Sequence, residues 1–179
     1  MRKRKLWTLQ SELVVSILQE KGIVQVKQEF LRQKYEDTAW IFQTAYRFLS
    51  QKMEQKIPKP EGAESPFWLF CDPKWSGNAG ENCLLQCLIP EKEVLLFDLR
   101  KWSQVLNLSY VGSEQKQEEF RQKLYHQGVK DPLELFRTPF YPLLKQEVVK
   151  SWDDILCIDE VEEQYLQGAC WQLKKEWLL

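Results

Sequence analysis

Four polar residues of this chain stand in apolar company: Gln86 inside the run CLLQCLI, Gln167 inside YLQGACWQL, and Thr8 and Gln10 on either side of Leu9. A buried amide or hydroxyl must find partners, so such residues either knit a core hydrogen-bond network or read a ligand. The segment SPFWLFCDPKWSG, residues 65–77, adds Phe67, Trp68, Phe70 and Trp75, followed by turn-forming Ser and Gly. Aromatic faces beside a mobile loop are what a planar ligand stacks against. The candidate binding set is therefore Thr8, Gln10, Trp68, Phe70, Trp75 and Gln167.

Most catalytic chemistry is excluded by what is missing from the sequence. His126 is the single histidine, and it falls on a polar helix just before Gly128, where an imidazole suits a helix C-terminus better than a nucleophilic triad. No phosphate-cradling or nucleophile-elbow pattern occurs among the seven glycines. The carboxylates Glu118, Glu119, Asp153, Asp154, Glu160, Glu162 and Glu163 stand in polar surroundings, where nothing raises a pKa toward acid catalysis. The cysteines are odd in number, five, so complete pairing is impossible; the closest pair, Cys83 and Cys87, falls about 13 Å apart on one strand face, too far for a disulfide or a shared zinc, and there is only one histidine to add to a ligand cluster. Free thiols in a reducing cytoplasm are expected, with no metal and no cofactor.

A chain of 179 residues suits one domain, and its 44% apolar and 28% charged content is that of a globular protein with no membrane span. The formal charge of -1 gives no global attraction to phosphate. The only basic cluster, residues 2–5, reads as a solvated and fraying terminus.

Elements that would position the candidates can be read from pattern. Residues 6–9 form a short strand; Ser11 caps a helix carrying Leu13, Val14, Ile17 and Leu18, and Gly22 stops it. Residues 23–26 form a brief strand, and charged residues lead on to the next helix. Ala39, Phe42, Tyr46, Leu49 and Met53 make an apolar stripe at helical spacing, ended by Pro58 and Pro60. Residues 67–71 read as a strand with Phe67 and Phe70 on one face and Trp68 on the other. Residues 83–89, apolar on both faces except at Gln86, read as a central strand, and 94–97 as another. Asp98 caps a helix with Leu99, Trp102 and Leu106 inward. Residues 113–127 form a peripheral helix anchored by Phe120, Leu124 and Tyr125. Asp131 and Pro132 start a short turn. Pro139 and Pro142 keep the following stretch irregular, and 155–159 and 165–173 read as closing strands. The order implies a single α+β domain over residues 1–179, with a small mixed or antiparallel sheet packed by several helices. Eight tryptophans stand out. Trp40 and Trp102 sit at helical spacing in the core, whereas Trp7, Trp68, Trp75 and Trp171 lie in or beside strands as an aromatic core or a stacking platform.

The blocks LWTLQSELVVSILQEKG, PFWLF, CLIPEKEVLLFDLRKWSQVLN, SWDDI and QGACWQLKKEW, taken in order, resemble a bacterial family, domain of unknown function 3841. That resemblance implies a prokaryotic cytoplasmic protein and supplies no activity. In element order the chain also resembles the ADP-ribosyltransferase superfamily. That resemblance implies NAD as substrate, Thr8 and Gln10 at the nicotinamide-ribose contact, Trp68 or Phe70 stacked on nicotinamide, and Gln167 where a catalytic glutamate usually stands. The chain departs from it in having no His or Arg in the first strand as read, and no Glu at 167.

The leading expectation is a binding domain that takes a small planar molecule or a protein partner through the region of Trp68 and Trp75. An NAD-using, ADP-ribosyltransferase-like enzyme is the alternative. Nucleic-acid binding through residues 2–5 and exposed aromatics is the third and least favoured reading.

Overall fold

The computed structural model describes residues 2–26 and 38–179. The charged stretch read between the second strand and the long helix lies outside the described residues. Strand β1 (Lys3–Gln10) leads into α1 (Glu12–Lys21). Ser11 Oγ accepts from the Val14 backbone N–H, and Gly22 ends the helix at φ 77°, in the left-handed region a glycine enters without steric cost. β2 (Ile23–Gln25), α2 (Ala39–Lys56), β3 (Phe67–Phe70), β4 (Cys83–Pro90) and β5 (Leu95–Asp98) follow. Asp98 then caps α3 (Leu99–Leu106) through its Oδ1 and the Arg100 N–H, as its side chain and spacing anticipated. The chain closes with α4 (Glu114–His126), α5 (Glu134–Arg137), α6 (Pro142–Ser151), β6 (Leu166–Cys170) and β7 (Gln172–Lys174).

The main sheet has five strands in the order β4-β1-β3-β6-β5, every pair antiparallel, and β2 with β7 forms a separate two-stranded ribbon. The fold is thus the single α+β architecture anticipated, with the antiparallel alternative realised. Sheet cohesion is uneven. β1 and β4 pair over eight positions, and β3, β6 and β5 pair over four each, yet the two groups are joined by one register pair, Trp7 with Phe70. The sheet is split along the β1/β3 seam.

Strand alternation gives each face its own core. Phe67 and Leu69 join Leu6, Leu18, Cys87, Ile89 and Cys170 on one side. Leu95, Phe97 and Ala169 join Leu49, Met53, Trp102, Val105 and Trp152 on the other, where α2 and α3 pack. The assignment of Phe67 and Phe70 to a common face is therefore corrected: positions three apart in a strand point to opposite sides, and Phe70 shares the face of Trp68. Gly168 lies where β6 passes tightly under its neighbours; a Cβ there would come within 2.9 Å of Val94 Cγ2 and 3.3 Å of Leu69 Cβ.

Six other expectations change. Residues Lys3 to Lys5 pair with β4 instead of fraying, and Arg4 is held by Glu91 and Glu163. β4 is an edge strand, its apolar outer residues served in part by the C-terminus: Leu178 bridges Cys87, and the Leu179 N–H bonds the Gln86 carbonyl. The buried side of α2 runs through Ala45, Phe48, Leu49 and Met53, so the stripe is rotated away from Ala39 and Phe42. Pro142 opens a helix instead of breaking one, because a proline at the first helical position gives up no internal hydrogen bond. Residues 155–159 form no strand; Trp152–Leu156 is a 3₁₀ turn whose Trp152 and Ile155 are buried, with the Trp152 indole N–H donating to the Ser109 carbonyl at 2.8 Å. On α4, Phe120 and Leu124 are buried as expected while Tyr125 faces solvent.

No helix among the described residues is long and apolar enough to cross a membrane. No group of three or more His, Cys, Asp or Glu among them could hold a metal ion.

Candidate functional site

At the split in the sheet a cleft of about 480 Å³ opens. Leu9 and Gln10 enter it from the end of β1, Trp68 and Phe70 from β3, and Gln167 from β6. Helix α3 contributes Leu99, Trp102, Ser103 and Leu106, helix α2 contributes Tyr46, and the β3–β4 connection contributes Ser76 and Asn82. The aromatic wall is continuous. Trp68 lies 4.9 Å from Tyr46 and 5.6 Å from Trp102 between ring centroids, and Phe97 closes the group from below at 5.6 Å from Trp102. Such tilted and edge contacts fix ring planes at modest energetic gain beyond area burial.

Thr8 is fully buried in the seam, where its hydroxyl takes over the role of a missing ladder bond. Its Oγ1 donates to the Trp68 carbonyl at 2.7 Å and accepts from Gln10 Nε2 at 2.7 Å. The direction of this chain is fixed: a hydroxyl that has given its one proton to a carbonyl can only accept from the next group. One proton of the Gln10 amide nitrogen is therefore committed, and its second proton and its carbonyl oxygen are left to offer the cleft.

Gln167 is only 5% exposed, beside Phe70 and Phe97 in register, and its Oε1 has no hydrogen-bond partner among the described residues. The other such atom is Arg4 Nε, but that guanidinium is already held by Glu91 and Glu163 through its terminal nitrogens. An amide oxygen buried without a partner forfeits about 1–3 kcal/mol relative to a satisfied one. Gln86 has a different setting: it is half-buried and lines no part of the cleft.

Five of the six candidates thus meet at the seam, Gln10, Trp68, Phe70 and Gln167 as walls and Thr8 as their support. Trp75 does not. It is 42% exposed on the 3₁₀ turn Pro73–Ser76, tilted against Tyr165 at 6.0 Å, with Lys74 Nζ 5.3 Å from its ring centroid. Lys74 also bonds Gln164 Oε1 and pairs with Asp72, while Arg100 lies 4.4 Å from the Tyr165 ring centroid. The Lys74 backbone N–H, bound to Asp72, holds that carboxyl below its usual range. Trp75 therefore pins the loop that carries Ser76 to the cleft instead of touching the cleft itself.

Tyr46 and Trp102 are the wall residues that pattern alone assigned to the core. They lie on the inward stripes of their helices, and only the gap between β1 and β3 turns part of that inward face into a cleft. The sole hint in the sequence was a tyrosine, whose hydroxyl seeks polar company, on an apolar stripe.

Among the described residues the lining holds no Asp, Glu, Lys, Arg or His. The cysteines stand apart from it. Cys87 and Cys170 are buried in the opposite core; burial pushes the Cys87 thiol up to about 11 and the Cys170 thiol higher still. Cys71 is also raised by burial, with the neighbouring Arg4 charge opposing. None of the three is an activated nucleophile. Although β1 begins early enough to include Arg4, that side chain is occupied with carboxylates and does not line the cleft.

Fold and site together define a compact α+β domain with a split antiparallel sheet and a neutral, aromatic-walled cleft at the split. The chain belongs to the family described as a domain of unknown function, DUF3841, whose model matches residues 5–179. No curated protein and no solved structure matches it.

Proposed function

We propose that this domain binds a small planar molecule in the cleft between β1 and β3, with Trp68, Phe70, Tyr46 and Trp102 supplying faces and Gln10 and Gln167 supplying polar contacts. The observation that carries this reading is a concave, ligand-sized space whose walls are aromatic and whose lining includes Gln167, with its amide oxygen buried and unpaired among the described residues. A packed core alone has no use for either. The five free thiols support a reducing, cytoplasmic setting. The absence of cations among the described lining residues, together with the pairing of Arg2 and Arg4 to Glu91, weighs against a nucleic-acid backbone as the ligand. Tryptophan fluorescence with a library of planar small molecules tests the reading. A binder should quench emission, and Trp68→Leu should remove both the quench and the calorimetric heat while circular dichroism stays native. Unchanged affinity in Trp68→Leu would overturn it.

An ADP-ribosyltransferase-like use of NAD is supported by one specific feature, the split sheet with Gln167 at the split. Under that reading labelled NAD is transferred or hydrolysed, and Gln167→Ala abolishes the turnover. Absence of NAD binding by calorimetry removes it.

A further inference from the structure

We infer that the ligand of this cleft is an uncharged nitrogen heteroaromatic whose N–H edge donates a hydrogen bond to Gln167 Oε1. The inference rests on the binding reading above and specifies its chemistry.

Three observations converge on donor-bearing, neutral chemistry. First, the described lining residues include no Asp, Glu, Lys, Arg or His, so among them a charged group would lose hydration without gaining a counter-charge. Second, the cleft holds a buried acceptor that lacks a donor. Gln10 keeps its second amide proton and its Oε1 beyond the bond to Thr8, whereas Gln167 Oε1 has no partner among the described residues. Third, the walls are ring faces, Trp68 and Phe70 on β3 and Trp102 on α3, which favour a flat π-system over an aliphatic one. In the structure Gln167 Oε1 is covered. The terminal amide torsion of glutamine is soft and roughly two-fold, so the group turns toward the cleft at small cost once an N–H is there to meet it. A planar ring carrying an amino or lactam N–H meets all three conditions. A carboxylate, a phosphate or a donor-free arene meets at most two.

The test uses the full chain and two matched probe pairs, each differing by a donor: 9-methyladenine against 9-methylpurine for an exocyclic amine, and 1-methyluracil against 1,3-dimethyluracil for a lactam N–H. Affinities are read by tryptophan fluorescence and calorimetry. The expected result is a preference for the donor-bearing member of at least one pair by about 10- to 100-fold, the range a satisfied against an unsatisfied buried acceptor supports. Gln167→Leu should collapse that preference to within about two-fold, with Gln167→Met as a second variant if the first fails to fold. Equal affinity within both pairs would overturn the hydrogen-bond inference and leave the planar-ligand reading standing. A preference that survives in both Gln167 variants would overturn the role of Gln167. No binding by any of the four probes would count against both readings together.

Discussion

Strand β3 is only four residues long, yet its two sides have opposite fates. Phe67 and Leu69 are sealed in a core with Leu6 and Ile89, whereas Trp68 and Phe70 remain half-buried against a cleft. The difference does not come from hydrophobicity, because all four residues are large and apolar. It comes from what covers each side. α1, the β2–β7 ribbon and the C-terminus close the first side, while on the other side Tyr46 of α2 and the α3 residues Leu99, Trp102, Ser103 and Leu106 line the cleft. One strand thus serves at once as a structural wall and as a recognition surface.

Substitutions on the two sides should separate stability from binding. Leu69→Ala, on the sealed side, should cost about 2–5 kcal/mol in a urea titration while leaving the cleft ligand's affinity per folded molecule unchanged. A variant that loses affinity without losing stability would break the distinction. Gly168→Ala presses a methyl onto Val94 and Leu69 and should destabilise by about 1–3 kcal/mol, again on the sealed side.

The same side should carry a pH signature. Cys87 has its thiol raised from 9.0 to about 11 by burial, so the unfolded chain gives up its proton first. Its contribution to stability is intact below pH 9, falls between pH 9 and about 11, and levels off above. A loss on the order of 1–3 kcal/mol is expected across that window. Cys87→Ala should reduce the slope, leaving the part that the buried Cys170 contributes, and an unchanged slope would show that Cys87 has no share in it. Thr8→Val removes the seam hydrogen bonds and should cost about 1 kcal/mol in stability but more in ligand affinity, since Gln10 and the Trp68 backbone lose their anchor. Trp75→Ala, on the loop surface, should change stability by less than about 0.5 kcal/mol.

Local signals in the sequence were legible where one residue type has one physical use. Ser11 and Asp98 cap helices, Gly22 stops one, and Thr8, Gln10 and Gln167 stood out as polar groups within apolar strands. The failures share a different cause. Pro142 was ambiguous because proline both breaks helices and starts them. The run 83–89 looked central because both its faces are apolar, although its second cover comes from the distant Leu178 and Leu179. Ile155 is buried by tertiary packing around Trp152 and not by a ladder. Trp75 was assigned to the cleft by sequence proximity to Trp68, but the turn between them carries it to Tyr165. Tyr46 and Trp102 were invisible as site residues, because a core stripe and a cleft wall have the same periodicity until the neighbouring strands are seen to part.

Across the seam, a side-chain strut takes the place of a backbone ladder. Ladder spacing is dictated by the peptide unit and is the same in every protein, whereas the reach of a side chain is encoded by one codon. The aperture between β1 and β3 is therefore an independently tunable dimension: exchanging the residue at position 8 can reset the width of the opening and leave the pairing of both half-sheets in register.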